Sequence, residues 1–182
     1  DEREWEIAGA YRFCRTNEGL PLYTRTLFDF TVSMNPYLAQ GLELGRSFVQ
    51  PGYWGKRSLD YLWYGIGAFL RKHPQHRYLF GPVSLSGAYP RPALELLVHF
   101  YQTHFPALQT LAVARNPFVI PPNRRAELNT QYPGTCYREE FQQLKRELGQ
   151  MNLSIPTLYK QYAELCEPGG VGGSARFRQA VP

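Results

Sequence analysis

The chain has 182 residues, 43% of them hydrophobic and 19% charged, which excludes a disordered or fibrous protein and allows a sizeable buried core. A formal charge of +5 and a pI near 9.2 favour acidic partners such as phosphates, an acidic carrier protein or anionic lipid, and no run of 18 apolar residues spans a bilayer. Cys14, Cys136 and Cys166 form no C-x-x-C pair, which argues against a disulfide framework or a Cys-rich zinc site and for a reducing compartment.

Residues 5–15 read WEIAGAYRFCR. Trp5, Ile7, Tyr11 and Phe13 recur at period two around Gly9, the pattern of a half-buried strand. Asn17, Glu18, Gly19 and Pro21 make a turn. Residues 22–30 fit a short strand or an irregular segment, and a short helix is predicted to end before Pro36. The central strand is predicted over residues 42–49, LELGRSFV. Strict alternation puts Glu43 and Arg46 on opposite faces, and a bulge at Gly45 would turn both toward one site.

A turn over residues 50–57 follows, with Ser58 as the expected N-cap. The spacing then predicts a helix over 59–72 that buries Leu59, Leu62, Trp63, Ile66, Phe69 and Leu70. Gly65 and Gly67 cost helix propensity, which predicts close approach by a neighbouring element or a ligand. Residues 78–86 predict a second apolar strand, and Pro82, having no N–H, must interrupt its pairing on one side. Strand, basic turn, helix and strand together outline a βαβ unit.

Pro90 or Pro92 opens the next predicted helix, with core face Leu94, Leu97, Val98 and Tyr101 and an end at Pro106. Residues 111–114 read as a weak strand, and 116–125 as a loop with three prolines and two arginines. A helix over 136–148 places Tyr137, Phe141, Leu144 and Leu148 at helical spacing, with Gly149 as its stop. A short helix over 156–166 starts near Pro156, and a Gly-rich end follows. The whole of residues 1–182 is expected to form a single domain.

Two places carry chemistry. In the turn Gly52-Tyr53-Trp54-Gly55-Lys56-Arg57-Ser58, free amides at a helix start and two cations suit a phosphate or pyrophosphate. The turn is neither a P-loop nor G-x-G-x-x-G, and an ordinary solvated turn is its alternative. Glu43 is the candidate general base, since a carboxylate withdrawn from water can take a proton from an amine or its water. A plain ion pair is the alternative there. His73, His76, His99 and His104 have no metal-ligand spacing, so no metal is expected. Ser84 and Ser86 lack the G-x-S-x-G setting of a nucleophile. The aromatics near the basic segments sit at core spacing, so nucleic acid is not an expected partner.

The stretches Glu43-Leu44-Gly45-Arg46-Ser47-Phe48-Val49, Pro51, Tyr53-Trp54, Leu62-Trp63, Gly65-Ile66 and Tyr78-Leu79-Phe80-Gly81-Pro82-Val83-Ser84 resemble the long-chain acyl branch of the GNAT acyltransferase superfamily. That branch holds ornithine-lipid N-acyltransferases, N-acyl amino acid synthases and proteins labelled haemolysins, with acyl-homoserine-lactone synthases as more distant relatives. Gly9-Ala10-Tyr11-Arg12 and Pro156-Thr157-Leu158-Tyr159-Lys160-Gln161-Tyr162 resemble it more loosely. The resemblance implies an α/β (α+β) fold with a mixed, mostly antiparallel sheet, a central splay between two strands and flanking helices.

It also implies an N-acyltransferase that moves a long acyl group from an acyl carrier protein or CoA thioester to an amine. Glu43 and Arg46 would be catalytic. Phe48, Val49, Gly55, Lys56, Arg57, Ser58, Val83, Ser84 and Leu85 would bind the donor, with backbone amides near Val83 to Leu85 polarising its carbonyl. No cofactor is implied beyond the acyl thioester as co-substrate. A cytoplasmic location with peripheral contact at an anionic inner membrane face fits an amphiphilic product. Two departures follow. The acetyl-CoA signature [QR]-x-x-G-x-[GA] falls on Trp54-Gly55-Lys56-Arg57-Ser58-Leu59, where both late small residues are replaced, so the basic pair is expected to meet an acidic carrier protein. The chain also opens on what resembles the second strand of that fold and lacks its closing strand, as expected of a piece of a longer protein, incomplete at both ends. The alternatives are a short-chain N-acetyltransferase using acetyl-CoA and a non-catalytic module that binds lipid or a partner.

Overall fold

The strands are β1 (Gly9–Arg15), β2 (Phe28–Phe30), β3 (Gly41–Val49), β4 (Tyr78–Phe80) and β5 (Ala112–Ala114). The α-helices are α1 (Thr24–Leu27), α2 (Asn35–Leu38), α3 (Ser58–Lys72), α4 (Arg91–His104), α5 (Pro122–Gln131), α6 (Tyr137–Gln150) and α7 (Thr157–Glu164). They come from a computed structural model that describes residues 5–16, 18–106 and 109–164. Backbone contacts group the chain into two compact units, Asp1–Thr24 with Asn35–Gly81, and Arg25–Met34 with Pro82–Pro182.

In the first unit β3 is the middle strand of the order β1-β3-β4, antiparallel to β1 and parallel to β4. Gly41, Leu42, Glu43 and Leu44 are all buried, so the first half of β3 is covered on both faces. The parallel β3–α3–β4 segment is the expected βαβ unit. Ala10 faces Phe48 while Arg12 faces Gly45, so two steps along β1 match three along β3. The extra residue is the expected bulge. The left-handed backbone falls on Arg46 (φ 54°) rather than on Gly45.

β3 and β4 share only three pairs, Gly41 with Tyr78, Leu42 with Leu79 and Glu43 with Phe80. A Cβ on Gly81 would overlap the Leu44 carbonyl oxygen, so the two backbones approach this closely only because residue 81 has no side chain. Pro82 follows, and the strand expected over 78–86 stops at Phe80. The loss of pairing at Pro82 is therefore found.

α3 lays its apolar stripe on β1. Trp63 meets Tyr11 at 6.2 Å and Phe69 meets Phe13 at 5.1 Å between ring centroids, and Ile66 is buried. Trp5 and Ile7 do not share that face. They are exposed, ahead of the first residue of β1. The N-cap is Arg57, not Ser58, whose hydroxyl instead donates to the Tyr53 carbonyl at 3.3 Å. A Cβ on Gly65 or Gly67 would meet nothing within 4 Å, so no neighbouring element explains these glycines.

The second unit is built on α4, whose burial is wider than the predicted stripe. Leu97, Val98 and Tyr101 are buried as expected and Leu94 only partly. Ala93, Leu96 and Phe100 are buried too. Leu128 of α5 and Leu144 and Leu148 of α6 belong to the same core, as does Tyr159 of α7. β2 and β5 form a separate antiparallel pair.

Three boundaries differ from expectation. Pro36 lies inside α2, in the first turn where a missing N–H costs nothing. The loop expected over 116–125 ends in α5, because Pro121 and Pro122 start a helix rather than prevent one. α6 runs through Gly149. Its stop is Asn152 (φ 57°), with the Leu153 N–H donating to the Leu148 carbonyl at 2.9 Å, a Schellman closure with Asn in the left-handed place. α7 ends at Glu164, and Cys166 and the Gly-rich end lie outside the described residues.

Candidate active site

β3 carries Glu43 into the interior, where it is 0% exposed. A bare carboxylate there would be costly, so each oxygen must be satisfied. Oε2 accepts from the Arg12 guanidinium at 3.2 Å and from the Tyr23 N–H at 3.0 Å. Oε1 accepts from the Thr24 N–H at 2.6 Å. The Arg12 side chain is 42% exposed, so this ion pair runs from the interior to the surface. Glu43 is thus held in an ion pair, and of its three donors Arg12 is the side chain that reaches solvent.

Arg46 follows at the bulge. Its exposed guanidinium lies 5.0 Å from the centre of the Tyr23 ring. Tyr23 thus meets Glu43 through its N–H and Arg46 through its ring, which brings the two expected residues to one short segment. Beyond Glu43, β3 continues to Val49 with β1 on one edge and, among the described residues, no strand on the other. Unpaired backbone groups along such an edge are available to an extended ligand. Cys14 pairs with Glu43 across the ladder, and burial first, then the Glu43 charge, pushes its thiol up, away from a nucleophilic thiolate.

The turn after β3 is well defined. Phe48 is exposed, and the Val49 carbonyl accepts the Trp54 indole N–H at 2.8 Å. Gly55 has φ 72°, which a side chain would resist. Lys56 lies 5.2 Å over the Tyr53 ring. Arg57 binds Asp60 at 3.3 Å and the Tyr64 hydroxyl at 3.0 Å. No side chain caps the start of α3, so its first amides suit an anion, although Asp60 already supplies one negative charge there.

Val83, Ser84 and Leu85 belong to the second unit. Val83 and Leu85 pack on its core, Ser84 is exposed, and the Val83 carbonyl accepts from the Tyr159 hydroxyl at 3.4 Å. Among the described residues no group of three His, Cys, Asp or Glu side chains suits a metal. His104 Nε2 lies 2.8 Å from Glu140. Burial lowers His99 below the usual imidazole range.

Arg12, Tyr23 and Thr24 were not foreseen as site residues. Arg12 is detectable as a cation within an apolar run of its strand, which calls for an acidic partner. The two N–H donors had no sequence signal, because any residue supplies a backbone amide.

Residues 1–64 match the acetyltransferase (GNAT) domain family, a span that holds Glu43, Arg46 and the basic turn. Over 185 residues the chain is 31% identical to a glycine N(alpha)-acyltransferase of Bacteroides thetaiotaomicron, covering 93% of this chain and 55% of that protein. It is 29% identical over 185 residues to a glycine N(alpha)-acyltransferase of Phocaeicola vulgatus, with 93% and 56% covered. It is 35% identical over 89 residues to an L-ornithine N(alpha)-acyltransferase of Brucella abortus, with 47% and 31% covered. The chain spans about half the length of the two glycine acyltransferases. No solved structure matches it.

Proposed function

We propose that the chain is an acyltransferase of the GNAT superfamily, whose domain its residues 1–64 match, and that it moves a long acyl group from an acyl carrier protein or CoA thioester to the amino group of an amino acid. One observation carries the reading: β3 and β4 pair for three residues and then part, leaving an open strand edge beside a bulge and a buried carboxylate. An amide-bearing thioester arm is an extended chain of the kind that pairs with such an edge. The similarity to glycine and ornithine acyltransferases supports a small α-amino acid as acceptor.

In this mechanism the deprotonated amine nitrogen attacks the thioester carbonyl, the C–N bond forms, the C–S bond breaks, and the sulfur leaves as a thiol with the second proton that the nitrogen gives up. Glu43 takes the ammonium proton, directly or through water, once Arg12 releases Oε2. Arg46 orders the site. Phe48 and Val49 contact the donor arm, and Gly55, Lys56, Arg57 and Ser58 meet its phosphate. Both cations are exposed, and Leu59 stands where the acetyl-CoA signature has a small residue, which supports an acidic carrier protein as donor. The long-tailed product suits peripheral work at an anionic inner membrane face. No helix among the described residues is long and apolar enough to cross a membrane.

The test is transfer from a long-chain acyl thioester to glycine by the full-length protein and its Glu43→Gln variant. Transfer should fall about a thousandfold while donor binding is kept, as expected for a lost proton acceptor. Equal loss of both would make Glu43 a builder of the site only. The complete burial of Glu43 favours one other reading, a non-catalytic lipid- or partner-binding module. Tight thioester binding with no turnover in the unaltered protein would select it.

A further inference from the structure

The outward face of α3 is unlike that of an ordinary solvated helix. Its exposed residues are Tyr61, Tyr64, Gly65, Gly67 and Ala68, followed by Arg71 and Lys72. Tyr61 and Tyr64 are 65% and 59% exposed, with ring centroids 6.1 Å apart. On α6, a helix of similar length, the exposed residues are Arg138, Glu139, Gln142, Lys145 and Arg146, then Gly149 and Gln150 at its end. A solvated face gains from such charged side chains, whereas that of α3 carries rings and small residues with cations at both ends, Lys56 and Arg57 at the start and Arg71 and Lys72 at the finish. Trp54, in the turn ahead of α3, is exposed as well, with its indole N–H on the Val49 carbonyl. Gly65 and Gly67 keep the middle of the face flat, with nothing in the structure to occupy the space.

Tyrosine and tryptophan rings suit the boundary between lipid headgroups and acyl chains, and flanking cations suit anionic headgroups. The charge agrees. Across residues 1–24 and 35–81 the sequence carries nine Lys and Arg against seven Asp and Glu, and one of the seven, Glu43, is buried. We infer that the outer face of α3, with Trp54 beside it, docks on an anionic lipid bilayer. The docking sets the turn that precedes α3 at the membrane surface, where an acyl product enters lipid. The inference deepens the acyltransferase reading by naming its membrane-facing surface, but its measurement does not depend on activity.

The experiment is co-sedimentation of the full-length protein with vesicles of phosphatidylcholine alone or mixed with phosphatidylglycerol. Binding is expected only to the mixed vesicles and should weaken with salt. Replacing Arg71 and Lys72 together by Gln should lower the partition coefficient about thirtyfold, at the usual contribution of a basic residue near an anionic surface. Gly65→Glu should abolish sedimentation. That substitution raises helix propensity and meets open space, so the variant should fold. Soluble-substrate turnover should persist in both variants, so a protein that binds vesicles but never turns over would fail the acyltransferase reading alone. Equal binding to both vesicle types, or full binding by Gly65→Glu, overturns the proposal. So does shielding of Tyr61 and Tyr64 from surface labelling in vesicle-free solution, whether by a second copy or by another part of the protein.

Discussion

Glu43 and Glu140 are two buried carboxylates satisfied in nearly the same way and set in different surroundings. Glu43 takes one guanidinium and two backbone N–H donors. Glu140 takes the His104 ring and three backbone N–H donors, Gly134 at 3.1 Å, Thr135 at 2.9 Å and Cys136 at 3.3 Å. The partner of Glu140 is itself buried, and the pair ties the start of α6 to the end of α4. The partner of Glu43 reaches solvent, and the strand that bears Glu43 runs on past its parallel neighbour into an open edge beside a bulge. Satisfying a buried charge is thus common to both. Only Glu43 adds a cation with somewhere to go and free backbone beside it, and that difference separates a candidate site from a staple.

The largest expected effects come from deleting each carboxylate. Glu140→Ala strands His104 and three N–H groups and should cost roughly 3–5 kcal/mol, read as a lower urea midpoint at unchanged slope. Turnover per folded molecule should stay as it was. Glu43→Ala should cost a similar amount and remove turnover as well. If Glu140→Ala lost turnover while folded, or Glu43→Ala kept it, the contrast between staple and site would collapse.

Acid titration sharpens the same contrast with smaller effects. Burial alone would raise Glu140, but the Cys136 N–H, the His104 ring and the Gly134 N–H together hold it below its ordinary value of 4.5. A carboxyl depressed in the fold stabilises fully above its unfolded value and loses that contribution as pH falls below about 4.5 through the folded value. Burial lowers His99 from 6.5, so the unfolded chain binds that proton first, and stability should begin to fall below about pH 6.5. Urea midpoints measured across pH should therefore show two slopes. His99→Gln should flatten the upper one and Glu140→Gln the lower one. An unchanged lower slope in Glu140→Gln would mean that another group carries the acid response.

The central strand, the following helix and the break at Pro82 were legible because each rests on a local rule: alternation, helical spacing and a missing donor. The bulge was legible at Gly45, but the left-handed residue fell one place later, on Arg46, where the pairing with β1 requires it. The near-complete burial of α4 was hidden because helical spacing shows one face, while α5, α6 and α7 cover others. The start of α5 falls in the loop expected over 116–125 because prolines interrupt a helix but also begin one. In the candidate site Glu43 stood out as a charge in an apolar strand. Its N–H donors did not, since a backbone amide leaves no mark in a sequence, and the chain had to fold before Tyr23 and Thr24 could be assigned to it.

The smallest expected effect concerns the basic turn. Lys56 rests on Tyr53, and Arg57 divides its guanidinium between Asp60 and Tyr64, all at the surface. Exposed pairs of this kind contribute about 0.2–1 kcal/mol each, so neither cation is needed for folding. Replacing both by Ala should leave the urea midpoint within about 1 kcal/mol of its original stability. The loss should appear in donor affinity instead, as a roughly threefold to tenfold rise in KM for the acyl thioester at low salt, with kcat little changed. At high salt the variant and the parent should converge, because screening removes an exposed charge contribution that it would not remove from Glu43. A rise in KM that persisted at high salt would place the two cations in a dry pocket. No rise at any salt would take the turn out of the donor site and leave the open edge of β3 as the donor's only anchor.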